Sequence, residues 1–252
     1  MAASLVGVGV GPGDPELLTV RALRVLRGAD RVFSPTMAVD AVGRAEAIVR
    51  QGHPTIPVER LVFAVNGDSE ARAGAHAEAA DRVVACLDAG EQVAFATLGD
   101  PNVYSTFHHL ADVVRERRPG TRVDTVPGIM AFQELAARAG VVVLDGEERL
   151  AVVSAVNGAE VLGRALADRD AAVVVYKGGR HLPEVAERLA AAGRLDGAVF
   201  GELLGLPGQQ VGPVKAHADR PAAYLATVLV PPASGPLARQ GDMGAGEGAD
   251  HP

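Results

Sequence analysis

Four short stretches carry residue types that could bind and orient a ligand. They are Gly11-Pro12-Gly13-Asp14, Leu98-Gly99-Asp100-Pro101 running on to Tyr104-Ser105-Thr106, Pro127-Gly128 followed by Met130 and Ala131, and Lys177-Gly178-Gly179-Arg180. Glycines let a backbone approach a ligand closely or take positive φ. Hydroxyls and carboxylates fix polar groups, and the Lys177–Arg180 pair suits a carboxylate-rich substrate, because the arginine fork pairs bidentately. Nucleophilic catalysis has no signature: G-x-S-x-G is absent and Cys86 falls in a helical pattern, where it reads as a small core residue. Zinc spacings of the C-x-x-C and H-E-x-x-H kinds are also absent, and His108 and His109, adjacent on a predicted helix, should diverge by about 100°. No protein-bound metal is expected. Each candidate has a structural alternative. Asp14 and Asp100 could only cap helices, Gly99 could only serve its turn, Tyr104 could be core, and Lys177 and Arg180 could be surface charges.

The elements that would position these residues alternate between strand and helix patterns. Leu5–Val10 is a short apolar, β-rich run, and Asp14 with Pro15 behind it predicts a helix start, with Gly28 as the stop. Further strands are expected at 31–34, 61–65, 92–98 and 122–126. Helices are expected at 43–50, from Ser69 to Ala89, and from Met130 to Ala139. Glycine turns at the ends of parallel strands project from one sheet edge, and that edge is where open α/β sheets bind ligands. The G-x-G-x-x-G fingerprint is not met: counted from Gly7 it falls on Pro12, and from Gly9 on Asp14. After residues 140–149, which lack a period, the chain reads as a smaller α/β unit. Its strands are expected at 150–156, 171–176, 199–204, 209–213 and 224–230, and its helices at 161–168 and from Pro183 to Ala192. The expected organisation is a mostly parallel N-terminal α/β domain over 1–142, a mixed C-terminal α/β domain over 143–232, and a disordered Pro/Gly/Ala-rich tail over 233–252.

Composition bounds the function. The 252 residues are 48% hydrophobic and 22% charged, enough to bury a sizeable core. The net charge of −7 disfavours nucleic acid as a partner, and Arg115-Glu116-Arg117-Arg118 reads as a solvated helix end. No apolar run is long enough to span a membrane. One cysteine and no evident signal peptide point to a reducing, cytoplasmic setting.

The stretches also resemble a family. G-x-G-P-G-D-P-x-L-L-T at the start, T-L-G-D-P-N-V-Y-S-T at 97–106, V-P-G-I at 126–129, V-Y-K-G-G-R-H-L-P-E-V at 175–185, G-L-P-G at 205–208 and A-Y-L-A-T-V-L-V at 223–230 are similar, in that order, to the tetrapyrrole methylases. The V-Y-S-T and K-G-G-R-H forms look most like the branch acting at C20 of precorrin-2. The resemblance implies the two-domain α/β fold of that family, S-adenosylmethionine (SAM) as methyl donor in a cleft between the domains, a tetrapyrrole substrate and a homodimer. It carries cofactor contacts onto Pro12, Leu98, Gly99, Asp100, Tyr104, Ser105, Thr106, Met130, Ala131, Lys177 and Leu204. Substrate contacts fall on Asp14, Lys177 and Arg180, and Tyr104 is the expected orienting hydroxyl. Met130 stands where relatives often have Ser or Thr, so a hydroxyl contact is lost there. A cobalt-loaded substrate remains open, as does a SAM-sensing protein without catalysis; the second-domain motifs argue against the diphthine synthases, which share the opening motif.

Overall fold

The computed structural model describes residues 3–38, 40–63 and 69–233, the side chains of 69–72 excepted. The tail expected beyond Ala233 and the strand end expected at Ala64–Val65 lie outside the described residues. The chain divides into two compact units, 1–130 and 131–252. The division comes earlier than the periodless stretch suggested. The helix at Ala131–Ala139 lays its buried Phe132, Leu135 and Ala136 against the second sheet, so it belongs to that unit.

The first unit is a parallel five-stranded sheet. Its strands are β1 (Ser4–Gly9), β2 (Arg31–Thr36), β3 (Glu59–Val62), β4 (Gln92–Thr97) and β5 (Arg122–Val126), in the order β3-β2-β4-β1-β5. Every pairing is parallel, with Gly9 in register with Thr97 and Val8 with Val126. The inner strands β1, β2 and β4 are largely buried on both faces, which is why they read as near-continuous apolar runs. Alternation sorts their side chains. Leu5, Phe33, Val93 and Phe95 face α3 (Ser69–Asp88) and α4 (Phe107–Arg117). Val8, Val32, Ala94 and Ala96 face α1 (Val20–Gly28) and α2 (Arg44–Gly52). Beneath α2 the Glu46 carboxylate is fully buried and held by Arg60 (2.7 Å) and Arg50 (2.8 Å).

The first helix differs from expectation. Asp14 caps only a 3₁₀ turn, Pro15–Leu17, accepting from the Glu16 amide at 2.9 Å. Leu18 then turns extended, and Thr19, accepting from Ala22 N at 3.0 Å, caps α1 afresh. A second strong N-cap five residues on ends the turn and restarts the helix.

In the second unit β6 (Arg149–Ser154), β7 (Ala171–Tyr176), β8 (Val199–Glu202), β9 (Gln210–Pro213) and β10 (Thr227–Val230) form a mixed sheet in the order β6-β7-β10-β8-β9. β6 and β7 are parallel, and the remaining pairs antiparallel. One face packs on α6 (Leu162–Ala167) and α7 (Leu182–Ala191), the other on α5 (Ala131–Ala139). Arg194 is buried, and its guanidinium donates to the carbonyls of Asp168, Ala171 and Pro231 at 2.7–3.3 Å.

Candidate active site

Three strand ends of the first unit converge. A Cβ built on Gly9 would lie 2.5 Å from the Gly99 carbonyl oxygen and 2.6 Å from Gly128 N, so only glycine allows β1, β4 and the β5 loop to approach this closely. Gly99 N donates to Gly11 O at 2.8 Å and forms an antiparallel bridge with it. The turns at 11–14, 98–106 and 127–130 therefore share the carboxyl edge of the sheet, the edge the spacing predicted. Pro12 is buried there, and Asp14 is half-buried with an oxygen committed to its turn.

Within the 98–106 loop the polar side chains divide their work. Asp100 is a staple: Oδ1 accepts from Asn102 N (2.8 Å) and Oδ2 from Gly128 N (3.0 Å), joining the β4 and β5 loops. The buried Ser105 hydroxyl is also committed, 2.9 Å from Thr97 Oγ1 and accepting from Phe107 N at the start of α4. Thr106, half-buried, makes no side-chain hydrogen bond among the described residues. Leu98 packs partly against the core. Gly99 has φ +66°, and a Cβ there would meet no atom within 4 Å. Its free face opens on space that a ligand can fill, and Thr106 keeps a hydroxyl to offer.

The second unit gathers its own candidates at the carboxyl ends of β7 and β8. Lys177 follows β7, half-buried, and burial lowers the pKa of its amine. Arg180 is exposed in the 3₁₀ turn Gly179–His181. Leu204 is buried beside Gly201; the strand expected to reach it stops at Glu202, because Leu203 turns left-handed at φ +52°. Ala131 opens α5, where Phe132 N donates to the Tyr176 hydroxyl at 3.2 Å. Met130, the last residue of the first unit, is half-buried.

Backbone strain marks these loops. Among the described residues, the non-glycine positions with positive φ are Tyr104 (49°), Lys177 (58°) and Leu203 (52°). Each follows a sheet strand, and such conformations persist where the surroundings over-determine them, commonly at ligand sites. Tyr104 is 43% exposed, so it is not a core residue. Sequence reasoning missed Leu203, the buried Glu202 that accepts from Ala223 N at 2.9 Å, and Tyr224, assigned to a strand that begins only at Thr227. The adjoining Gly205 and Gly208, both at positive φ, were the available signal for a turn after Glu202.

The adjacent histidines do not diverge: the His108 and His109 ring centroids are 3.8 Å apart, and His109 meets His76 edge-on at 5.6 Å. Rotamer choice overrides the helical azimuth here. Among the described residues no group of three or more His, Cys, Asp or Glu side chains is placed to hold a metal. Cys86 is partly buried, with its thiol pushed up to about 11 chiefly by burial, which suits packing rather than nucleophilic attack.

The model of the tetrapyrrole (corrin/porphyrin) methylase family matches residues 4–218. The chain is 36% identical over 237 residues to a precorrin-2 C(20)-methyltransferase of Sinorhizobium sp., covering 90% of this chain and 94% of the relative. It is 32% identical over 236 residues to a cobalt-precorrin-2 C(20)-methyltransferase of Salmonella typhimurium, covering 91% and 97%. Among solved structures, cobalt precorrin-4 methyltransferase matches with a TM-score of 0.66 at 20% identity, covering 90% of this chain and 94% of that one; this likeness concerns the fold alone.

Proposed function

The chain belongs to the tetrapyrrole (corrin/porphyrin) methylases, and from that membership we propose that it transfers a methyl group from SAM to C20 of precorrin-2, giving precorrin-3A in cobalamin biosynthesis. The observation that carries this reading is near full-length similarity to a protein named for that reaction. Bound SAM supplies an electrophilic methyl on a sulfonium, which a carbon nucleophile can take by direct displacement. The new bond forms with electrons from C20, the bond to sulfur breaks toward sulfur, and a proton leaves the substrate.

The chain's part is then alignment and exclusion of water. Gly99 gives the cofactor backbone access, and Thr106 offers it a hydroxyl. Asp100 holds the two loops in register, and Leu98, Met130, Ala131 and Leu204 supply apolar contacts. The left-handed backbone at Tyr104 fixes where its phenol orients the substrate. Lys177 and Arg180 supply local cations to substrate carboxylates in a chain of net charge −7. The protein works as a cytoplasmic homodimer, supported by the family resemblance. Among the described residues no helix is long and apolar enough to cross a membrane.

Incubation with labelled SAM and precorrin-2, followed by mass and NMR analysis, tests the assignment. Label at the meso carbon between rings A and D is the expected outcome, and label at a pyrrole-ring carbon refutes it. The similarity to the cobalt-precorrin-2 enzyme favours one second reading, in which the substrate carries cobalt; turnover with that substrate alone selects it. Light scattering tests the dimer, and a monomer mass at micromolar concentration counts against it.

A further inference from the structure

We propose that Tyr224 and Arg180 form one anion-binding pair that takes a side-chain carboxylate of the tetrapyrrole, an inference that rests on the methyl-transfer reading above. Tyr224 lies in the turn before β10, 38% exposed. Its segment is pinned to that of Arg180 backbone to backbone. Ala222 N donates to Gly179 O at 2.8 Å, and Gly179 packs so tightly on Ala223 O that no Cβ fits between them. Ala223 N is held in turn by the buried Glu202 carboxylate at 2.9 Å. Three backbone segments thus hold the two residues at one corner of the second sheet.

Among the described residues Arg180 carries an uncommitted guanidinium, unlike the ion-paired arginines. Arg31, Arg60, Arg117, Arg118 and Arg149 all sit in ion pairs. Arg180 makes no hydrogen bond or ion pair among the described residues, yet its charge acts on the Tyr224 phenol. The neighbouring acids are occupied elsewhere: Glu184 pairs with Arg188 at 3.3 Å, and Glu202 accepts from Ala223 N. Burial raises the Tyr224 pKa, so the phenol stays protonated at neutral pH and can donate. A guanidinium forks two oxygens, and a phenol donates one further hydrogen bond, a donor set that matches a carboxylate.

Steady-state kinetics with SAM and precorrin-2 on the whole protein test the pair. Loss of one hydrogen bond to a charged group in a half-exposed site should raise KM for precorrin-2 about three- to tenfold in Tyr224→Phe, with kcat within about twofold. Arg180→Gln should raise it about tenfold or more, and Arg180→Lys should restore part of the loss by keeping the charge without the fork. KM for SAM and the thermal midpoint should not move, which separates substrate recognition from a structural role. The double variant Tyr224→Phe/Arg180→Gln should lose less than the product of the single effects, because both act on one carboxylate. An unchanged KM in Tyr224→Phe, or strictly multiplicative losses, overturns the pairing while leaving methyl transfer intact. Absence of transfer to precorrin-2 by the unaltered protein overturns both.

Discussion

Replacing Gly99 with alanine separates the cost of backbone strain from the loss of ligand space. At φ +66° an L-residue in the left-handed region costs about 1–2 kcal/mol. The new Cβ touches no protein atom within 4 Å, so strain is the whole folding penalty. For a chain of this size, about 2–4 °C per kcal/mol places the loss in thermal midpoint at about 2–8 °C. Gly90 provides the control: it has φ +84° and the same open surroundings, but sits after α3, away from the convergent strand ends. Gly90→Ala should lose a similar number of degrees. The two should part in calorimetry with SAM in the presence of EDTA, where the unaltered protein binds about one equivalent per chain. A methyl pushed into occupied ligand space costs about 1–3 kcal/mol, so Gly99→Ala should bind about five- to 150-fold more weakly while Gly90→Ala binds normally. Gly99→Val should abolish binding. Wild-type affinity in a folded Gly99→Ala protein would refute the assignment of that loop to the cofactor.

Three further outcomes are expected from the hydrogen bonds. Thr106→Val should weaken SAM severalfold with little change in stability, whereas Ser105→Ala should destabilise by about 1–2 kcal/mol in urea unfolding, because it breaks the buried link from Thr97 to α4. Arg194→Met strands three carbonyls and should cost about 3 kcal/mol or more, read as a lower urea midpoint. Burial alone would raise the Glu46 pKa above 4.5, but the Arg60 hydrogen bond, the Arg50 charge and the Gly43 amide outweigh it and hold it below that value. Its stabilisation is therefore present above pH 4.5 and is lost as pH falls lower. The gap in urea midpoint between wild type and Glu46→Gln should close on acidification, and a gap constant from pH 7 to 3 would contradict this.

Arg122–Val126 and Ala171–Tyr176 are seen with the boundaries the sequence predicts. For Ala171–Tyr176, buried along nearly its whole length, an apolar run bounded by turn residues leaves little freedom. The convergence of three glycine turns was legible too, since parallel connections restore strand direction. The features that escaped were set by competition between equivalent local signals. Thr19 re-caps a helix that Asp14 has the chemistry to start. Leu203 and Tyr224 continue apolar patterns, yet tertiary ties rather than periodicity end their strands. Which hydroxyl of the Ser105–Thr106 pair is committed depends on the partner at Thr97, eight residues away, and no spacing rule states that.

The order β6-β7-β10-β8-β9 has a consequence for how the protein is made. The first unit finishes with an edge strand, β5, so its sheet can assemble while the ribosome is still translating the residues beyond 130. The second unit cannot. Its last strand, Thr227–Val230, lies between β7 and β8, and until it emerges each of those strands exposes an unpaired inner edge. From the end of β8 at Glu202 until β10 is completed at Val230, synthesis therefore passes through a stage in which one finished unit trails a sheet open at its centre. At about 5–20 residues per second that stage lasts seconds, and it is then that the nascent chain most needs a chaperone.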